Sequence, residues 1–310
     1  MDSAALDTRP PTAAPPLAVR GVRKRYGPVD ALAGVDLALE PGRVTAVLGA
    51  NGAGKTTLIR CALGLTRPSF GELTLFGGAP GSSGVKWRLG VMLQDADLPD
   101  LLTPREHLTL FASYYPDPEP VDAVIARLGL QDFADRRYGK LSGGQKRRTQ
   151  FALALIGRPE LVFLDEPTTG LDADARRGLW AAVRDLAQSG KTVVLTTHYL
   201  EEADSLADRI VVLDQGRVVA DGPTDAIRTQ LGGSVIRCVT RVAPDAVAAL
   251  AGVTGVFEAG RFLEIRSANP AETLAALLAQ DPMLTDLTVA KPSLEDAFRL
   301  LTQHPEGDTP

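Results

Sequence analysis

The sequence predicts an α/β fold: a parallel sheet wound by helices, with an antiparallel β subdomain before it, a helical subdomain inserted into it, and a small α+β domain after it. Three observations predict this. Short, continuous apolar runs at Val44–Leu48, Leu161–Leu164, Thr192–Thr197 and Ile210–Leu213 are separated by helical stretches, as expected of strands buried on both faces. The first run leads directly into a glycine-rich loop that opens a helix. Beyond Gly232-Gly233 the texture changes to elements in the order βαββαβ, the ferredoxin-like arrangement.

The elements follow in order. Residues 1–16, rich in proline and alanine, read as a disordered tail without the basic start and apolar stretch of a signal peptide. Leu17–Arg25 and Val35–Leu39 read as strands, with Gly27-Pro28 as a turn between them. After Val44–Leu48 and the glycine loop, a helix is expected to Leu65, and Pro68 and Gly71 break the chain before a strand at Glu72–Phe76. From about 85 to 159 the pattern is mostly helical. Thr103 caps a helix whose first position is Pro104, a second helix follows Val121, and a third begins after Ser142-Gly143-Gly144. Gln215-Gly216 turns into a strand at Arg217–Ala220, and the main domain is expected to span 17–231.

In the second domain, 232–303, strands are expected at Val235–Val242, Val253–Glu258, Phe262–Arg266 and Leu284–Ala290. Helices are expected at Asp245–Ala251 and Ala271–Ala279, with a last helix from Leu294 and a frayed tail over 304–310.

The chain has 310 residues, a length that suits about two domains. Hydrophobic residues make up 45%, enough for a sizeable core, and the net charge of −5 argues against a general nucleic-acid binder, so no nucleic-acid partner is expected. Cys61 and Cys238 form no disulfide framework and read as small core residues in a reducing compartment. No apolar run approaches the ~18 residues that would span a bilayer.

The glycine loop carries the first chemistry. Gly49-Ala-Asn51-Gly52-Ala53-Gly54-Lys55-Thr56 fits G-x-x-x-x-G-K-[ST], the phosphate loop of P-loop NTPases. Gly49, Gly52 and Gly54 permit backbone conformations closed to residues with a Cβ, so successive N–H groups wrap phosphates at a helix N-terminus. Thr57 continues that first turn. Lys55 supplies a full charge to the β- and γ-phosphates of ATP, and the Thr56 hydroxyl ligates Mg²⁺. Leu161–Leu164 then delivers Asp165-Glu166 to the carboxyl rim of the sheet, where Asp165 holds Mg²⁺ and Glu166 polarises the attacking water. Thr192–Thr197 ends at His198 on the same expected rim, a contact for the γ-phosphate.

Leu141-Ser142-Gly143-Gly144-Gln145 resembles the signature motif of ABC ATPases, and the family's other elements follow in family order. Gln94 resembles the glutamine of the loop between sheet and helical subdomain, Thr169-Gly170-Leu171-Asp172 the loop after the Mg²⁺ strand, His198 the switch histidine, and Tyr26 the aromatic that stacks on adenine. The resemblance covers about 17–223. It implies that Gln94 contacts both Mg²⁺ and the reacting water, and that Ser142, Gly143, Gly144 and Gln145 close on ATP held by a second subunit, with Asp172 across that interface. A homodimer and a separate integral-membrane permease at the cytoplasmic face of the membrane are thereby implied as partners, with ATP and Mg²⁺ as cofactors. Leu98, Leu101, Leu102 and Phe111 read either as a groove for a permease helix or as local core. Lys291-Pro-Ser-Leu-Glu-Asp-Ala-Phe298 resembles the tail of drug- and antibiotic-export ATPases of the daunorubicin-exporter kind. Export of a drug-like molecule is therefore the leading expectation. Two alternatives stand beside it: an importer ATPase, which in the family often carries a barrel-like tail, and a soluble ABC ATPase acting on ribosomes or DNA.

Overall fold

The computed structural model describes residues 14–229, 234–290 and 294–295. The chain divides into two compact units between Val218 and Val219. That division falls inside the strand Arg217–Pro223.

The first unit opens with β1 (Leu17–Tyr26) and β2 (Val29–Ala38), an antiparallel hairpin. β3 (Val44–Leu48) is buried along its whole length and leads through the glycine loop into α1 (Lys55–Ala62). β4 (Phe70–Leu75) returns to pair with β1, so the antiparallel sheet has the order β2-β1-β4. α2 (Ser83–Lys86) and β5 (Leu89–Met92) follow. The helical part comprises α3 (Pro104–Ala112), α4 (Val121–Arg127), a 3₁₀ turn at Tyr138–Lys140 and α5 (Gly143–Leu155). β6 (Leu161–Asp165), α6 (Ala173–Gln188), β7 (Thr192–Thr197), α7 (Leu200–Leu206) and β8 (Arg209–Asp214) complete the α/β alternation; β9 (Arg217–Pro223) straddles the division, and α8 (Thr224–Thr229) follows in the second unit.

The large sheet has the order β5-β6-β7-β3-β8-β9, with β5–β6, β6–β7, β7–β3 and β3–β8 all parallel. Its register positions the chemistry. Leu48 pairs with Thr197 and Asp165 with Thr196. The glycine loop, the two acids and His198 therefore leave three neighbouring strands at one level of the carboxyl rim, where ligands of open α/β sheets bind.

The stretch expected to be mostly helical from 85 to 159 contains β5, a strand of the large sheet. Four residues with a glycine among them are too short to show a strand period. That glycine is required by packing, since a Cβ on Gly90 would stand 2.2 Å from the Ala154 carbonyl oxygen of α5. The helices beyond it enclose their own core of Leu108, Val124, Leu130, Phe133, Tyr138 and Ala152. Leu98 and Phe111 pack against that core, whereas Leu101 is 75% exposed. At α3 the cap is as the sequence predicts: Glu106 N donates to Thr103 Oγ1, and Thr103 N donates to Glu106 Oε2.

In the second unit, β10 (Ser234–Val239), α9 (Pro244–Ala248), β11 (Val253–Ala259), β12 (Phe262–Ser267), α10 (Pro270–Gln280) and β13 (Thr285–Ala290) follow one another in the order expected. Their sheet has the order β11-β12-β10-β13 with every neighbouring pair antiparallel. Ile236, Cys238, Leu263, Ile265, Val247 and Leu277 fill the space between sheet and helices. Of the last expected helix, only Leu294 and Glu295 are among the described residues, and both are helical. The rest of the Lys291–Phe298 motif, residues 1–13 of the tail and residues 304–310 lie outside them.

Candidate functional site

The glycine loop is shaped by contacts that no side chain could share. Gly54 has φ of 107°, and a Cβ there would stand 2.4 Å from the Ala31 carbonyl oxygen. A Cβ on Gly49 would stand 2.5 Å from the Leu213 carbonyl oxygen. The loop thus turns between β2 and β8 and meets α1 without a side-chain cap or an acidic residue in the first turn, leaving the helix N-terminus open to an anion. Lys55 is buried, and its Nζ donates to the carbonyls of Gly49 at 2.8 Å and Ala50 at 3.1 Å. Ala53 serves the loop itself: its N–H donates to Ala50 O at 3.1 Å and its carbonyl accepts from Gly216 N at 3.0 Å.

A cavity of about 390 Å³ opens over this loop, lined by Asn51, Gly52, Gly54, Lys55, Thr56 and Thr57, and closed by Gln94, Glu166, Thr169 and His198. Two larger hollows, of about 570 and 450 Å³, lie beside α6 and contain neither the glycine loop nor Glu166.

Asp165 is almost wholly buried at the end of β6. Its Oδ1 accepts from Thr196 Oγ1 at 2.5 Å and from Thr56 Oγ1 at 3.4 Å. Its Oδ2 is buried with no hydrogen-bond partner among the described residues. Burial raises its pKa, against the pull of the Thr196 and Thr56 hydroxyls. An orphaned carboxylate oxygen beside a threonine hydroxyl fits a hard divalent cation. Mg²⁺, which keeps water and phosphate oxygens in its shell and needs few protein ligands, is a cation of that kind.

Glu166 stands one residue further on, in the left-handed region at φ 47°. Conformations of this kind cost about 1–3 kcal/mol and collect at functional sites. The turn is held by Glu166 N, which donates to Thr196 O and Oγ1, each at 3.1 Å. The carboxylate, 7% exposed, then sits at the centre of the rim. Oε1 is 3.6 Å from Lys55 Nζ and 3.3 Å from His198 Nδ1. Oε2 accepts from Gln94 Nε2 at 3.2 Å and Thr169 Oγ1 at 3.3 Å. All four residues expected to be catalytic, Lys55, Gln94, Glu166 and His198, thus meet around one carboxylate. Gln94 presents its amide nitrogen to Glu166 rather than a contact to Thr56 or Asp165.

The remaining predicted residues stand apart from the cavity. Tyr26 ends β1, 47% exposed, with Lys24 Nζ 4.8 Å from its ring centroid. It pairs with Val29, two residues before Ala31, whose carbonyl abuts Gly54. Ser142 caps α5 in a reciprocal box: Gln145 N donates to Ser142 Oγ at 3.3 Å and Ser142 N to Gln145 Oε1 at 3.0 Å. Gly143 has open space around it, and a Cβ on Gly144 would stand 3.5 Å from that of Ala175. Asp172 caps α6 by accepting from Ala175 N at 2.8 Å. The start of α5 and the Asp172 loop are therefore neighbours, and neither lines the cavity over the glycine loop.

Sequence reasoning gave no role to Thr196 and none to Thr169 individually. Thr196 holds both acids, and Thr169 holds Glu166. The signal was present in β7, where the apolar run Val193–Leu195 gives way to two threonines that are buried all the same.

Residues 32–169 match the family model described as ABC transporter. The chain is 40% identical over 301 residues to the daunorubicin resistance ATP-binding protein DrrA3 of Streptomyces coeruleorubidus, covering 92% of this chain and 95% of that protein. The chain is an ATP-binding subunit of the ABC transporter family. It is also 40% identical, over 71% of its length and 75% of the relative's, to the Nod factor export ATP-binding protein I of Burkholderia orbicola (strain AU 1054). Among solved structures, an ATP-binding subunit of an ABC transporter matches with a TM-score of 0.64 at 29% identity, over 69% of this chain and 92% of that one. A dimeric bacterial ABC transporter cassette matches with a TM-score of 0.61 at 25% identity, over 67% and 98%. No helix among the described residues is long and apolar enough to cross a membrane.

Proposed function

We propose that this ABC subunit hydrolyses ATP to drive export of a drug-like or other small molecule through a separate membrane permease, to which it binds at the cytoplasmic face. The observation that carries the reading is the meeting of Lys55, Gln94, Thr169 and His198 around the Glu166 carboxylate, directly over the glycine loop. The direction of transport follows the relatives, whose names are those of drug-resistance and Nod factor export proteins.

In this reading the loop amides and Lys55 bind the ATP phosphates, releasing Lys55 from the Gly49 and Ala50 carbonyls. Thr56 and Asp165 hold Mg²⁺, which when bound neutralises charge on the β- and γ-phosphate oxygens. Glu166 orients a water and accepts its proton as the water attacks the γ-phosphorus, breaking the bond to the ADP oxygen. His198 and Gln94 fix the Glu166 carboxylate and the γ-phosphate. Most of the acceleration comes from positioning and preorganised charge. Ser142 and its two glycines, which do not line the cavity over the chain's own loop, present N–H groups to ATP on a second copy, so a reciprocal homodimer completes two sites. The exposed Leu101, close in sequence to Gln94, is offered to the permease. Purifying the subunit from gently solubilised membranes tests the assignment: a co-purifying membrane permease that stimulates hydrolysis is expected, and hydrolysis indifferent to deletion of every candidate permease refutes it.

A further inference from the structure

Helices α6 and α7 are joined along one stripe. Arg176, Trp180 and Arg184 stand at i, i+4 and i+8 of α6, on a single face. They meet Glu201, Glu202 and Ser205 in turn. Arg176 Nη2 lies 3.8 Å from Glu201 Oε2. Trp180 Nε1 donates to Glu202 Oε1 at 3.2 Å. The Arg184 Nε and Nη2 groups donate to Ser205 O at 3.3 and 3.2 Å. Only the middle pair is buried, Trp180 at 7% exposure and Glu202 at 0%.

A carboxyl with no exposure is costly, and an apolar residue of similar size would seal this seam more cheaply. Burial raises its pKa, opposed in turn by the hydroxyls of Thr197 and Thr168, by the Trp180 N–H and by the more distant Arg176 charge. Glu202 Oε2 and Thr168 Oγ1 are each buried with no hydrogen-bond partner among the described residues, so the bond from Trp180 is the directed contact the acid makes.

Their places in the chain matter. Thr168 lies between Glu166 and Thr169, the residue that donates to Glu166 Oε2. Thr197 directly precedes His198, and its Oγ1 accepts from Tyr199 N at 2.9 Å. Glu202 joins the helix that starts at Asp172 to the helix that starts just after His198.

We propose that Glu202 is a positioning residue for hydrolysis: as the buried hub between α6 and α7 it holds the 166–172 loop against the 196–199 turn, so that Glu166, Thr169 and His198 keep their spacing and Asp172 and His198 move together. This rests on the hydrolytic reading above. The bond from Trp180 Nε1 to the acid is the contact that carries this role, and a residue that keeps an acceptor for Trp180 serves in its place.

The test uses the purified full-length chain as wild type, Glu202→Ala, Glu202→Gln and Trp180→Phe, with MgATP turnover, binding of a fluorescent ATP analogue and thermal melting measured on each. Glu202→Ala is expected to lower kcat by about tenfold or more while nucleotide affinity stays within about threefold, because the binding loop is untouched. Glu202→Gln, whose amide keeps both an acceptor and a donor, is expected to restore kcat to within about threefold of wild type. Trp180→Phe keeps an aromatic ring but loses the N–H and part of the indole's volume, and an intermediate fall in kcat is expected at a temperature where melting shows the variant still folded. Wild-type kcat in Glu202→Ala overturns the proposal, as does Glu202→Gln as inactive as Glu202→Ala, or an equal loss of affinity and turnover across the set. If Glu202→Ala does not fold, Trp180→Phe decides, and wild-type turnover there overturns the proposal. A wild-type chain that binds but does not turn over MgATP refutes the hydrolytic reading instead.

Discussion

Replacing Glu166 by glutamine changes one oxygen to an amide nitrogen within the most crowded polar contact of the rim. Oε1 faces Lys55 Nζ at 3.6 Å and His198 Nδ1 at 3.3 Å, while Oε2 accepts from Gln94 and Thr169. The amide retains the shape and one acceptor but takes no proton from water. General-base catalysis contributes about 10²–10⁴ in rate, which corresponds to about 3–5 kcal/mol of barrier. Binding has no such dependence. Lys55 Nζ keeps its two carbonyl partners, Gly49 and Ala50, and is freer to take phosphate oxygens once the opposing carboxylate is gone. The expected result is therefore a variant with turnover down at least about a hundredfold, nucleotide affinity equal or higher, and a dimer that persists on ATP. Phosphate release, titration with a fluorescent nucleotide and size-exclusion chromatography with and without MgATP read these separately. Turnover within about threefold of wild type would refute Glu166 as the base, and a loss of nucleotide affinity would refute the separation of binding from chemistry.

Other substitutions probe neighbouring parts. Lys55→Ala removes the buried cation that charge-assists phosphate binding, and ATP affinity is expected to fall at least about tenfold; unchanged affinity by calorimetry would contradict the loop assignment. Thr196→Val deletes the hydroxyl shared by Asp165 Oδ1 and Glu166 N, with an expected loss of about 1–2 kcal/mol of stability and a lower kcat at saturating MgATP; denaturant melts and turnover measure both. The Arg88–Glu160 clasp, with contacts of 2.6 and 2.8 Å at the start of β6, holds the Glu160 carboxyl below its usual pKa, chiefly through the Arg88 hydrogen bond. Since the folded pKa is depressed, the stabilisation is present above the ordinary carboxylate pKa and is lost as pH falls through the lower folded value. Both side chains are more than a third exposed, so Arg88→Ala is expected to cost under about 1 kcal/mol at pH 7 and less in acid, by pH-resolved melting.

The large sheet was readable because its strands are apolar on both faces, so burial and chain pattern coincide in Val44–Leu48 and Thr192–Thr197. β5 was not, because its placement depends on the close approach of α5 at Gly90, a contact more than sixty residues away in sequence. The glycine loop was readable as a candidate site because a phosphate-binding loop needs glycine and lysine at fixed spacing, a local requirement. Thr196 was missed because its value lies in facing Asp165 across a parallel register that only the folded sheet defines.

By itself the sequence determined the fold class, the loop that binds phosphate, the two acids and histidine at strand ends, and the helix caps at Thr103 and Ser142. These depend on backbone freedom, polarity and hydrogen bonding within a few residues. Tertiary structure alone decided that Gln94, Thr169, His198 and Lys55 converge on one carboxylate, that Asp165 keeps an orphaned oxygen beside Thr56, and that a fully buried Glu202 accepts from Trp180 between α6 and α7. Such relations are distances between chain segments that only packing brings together.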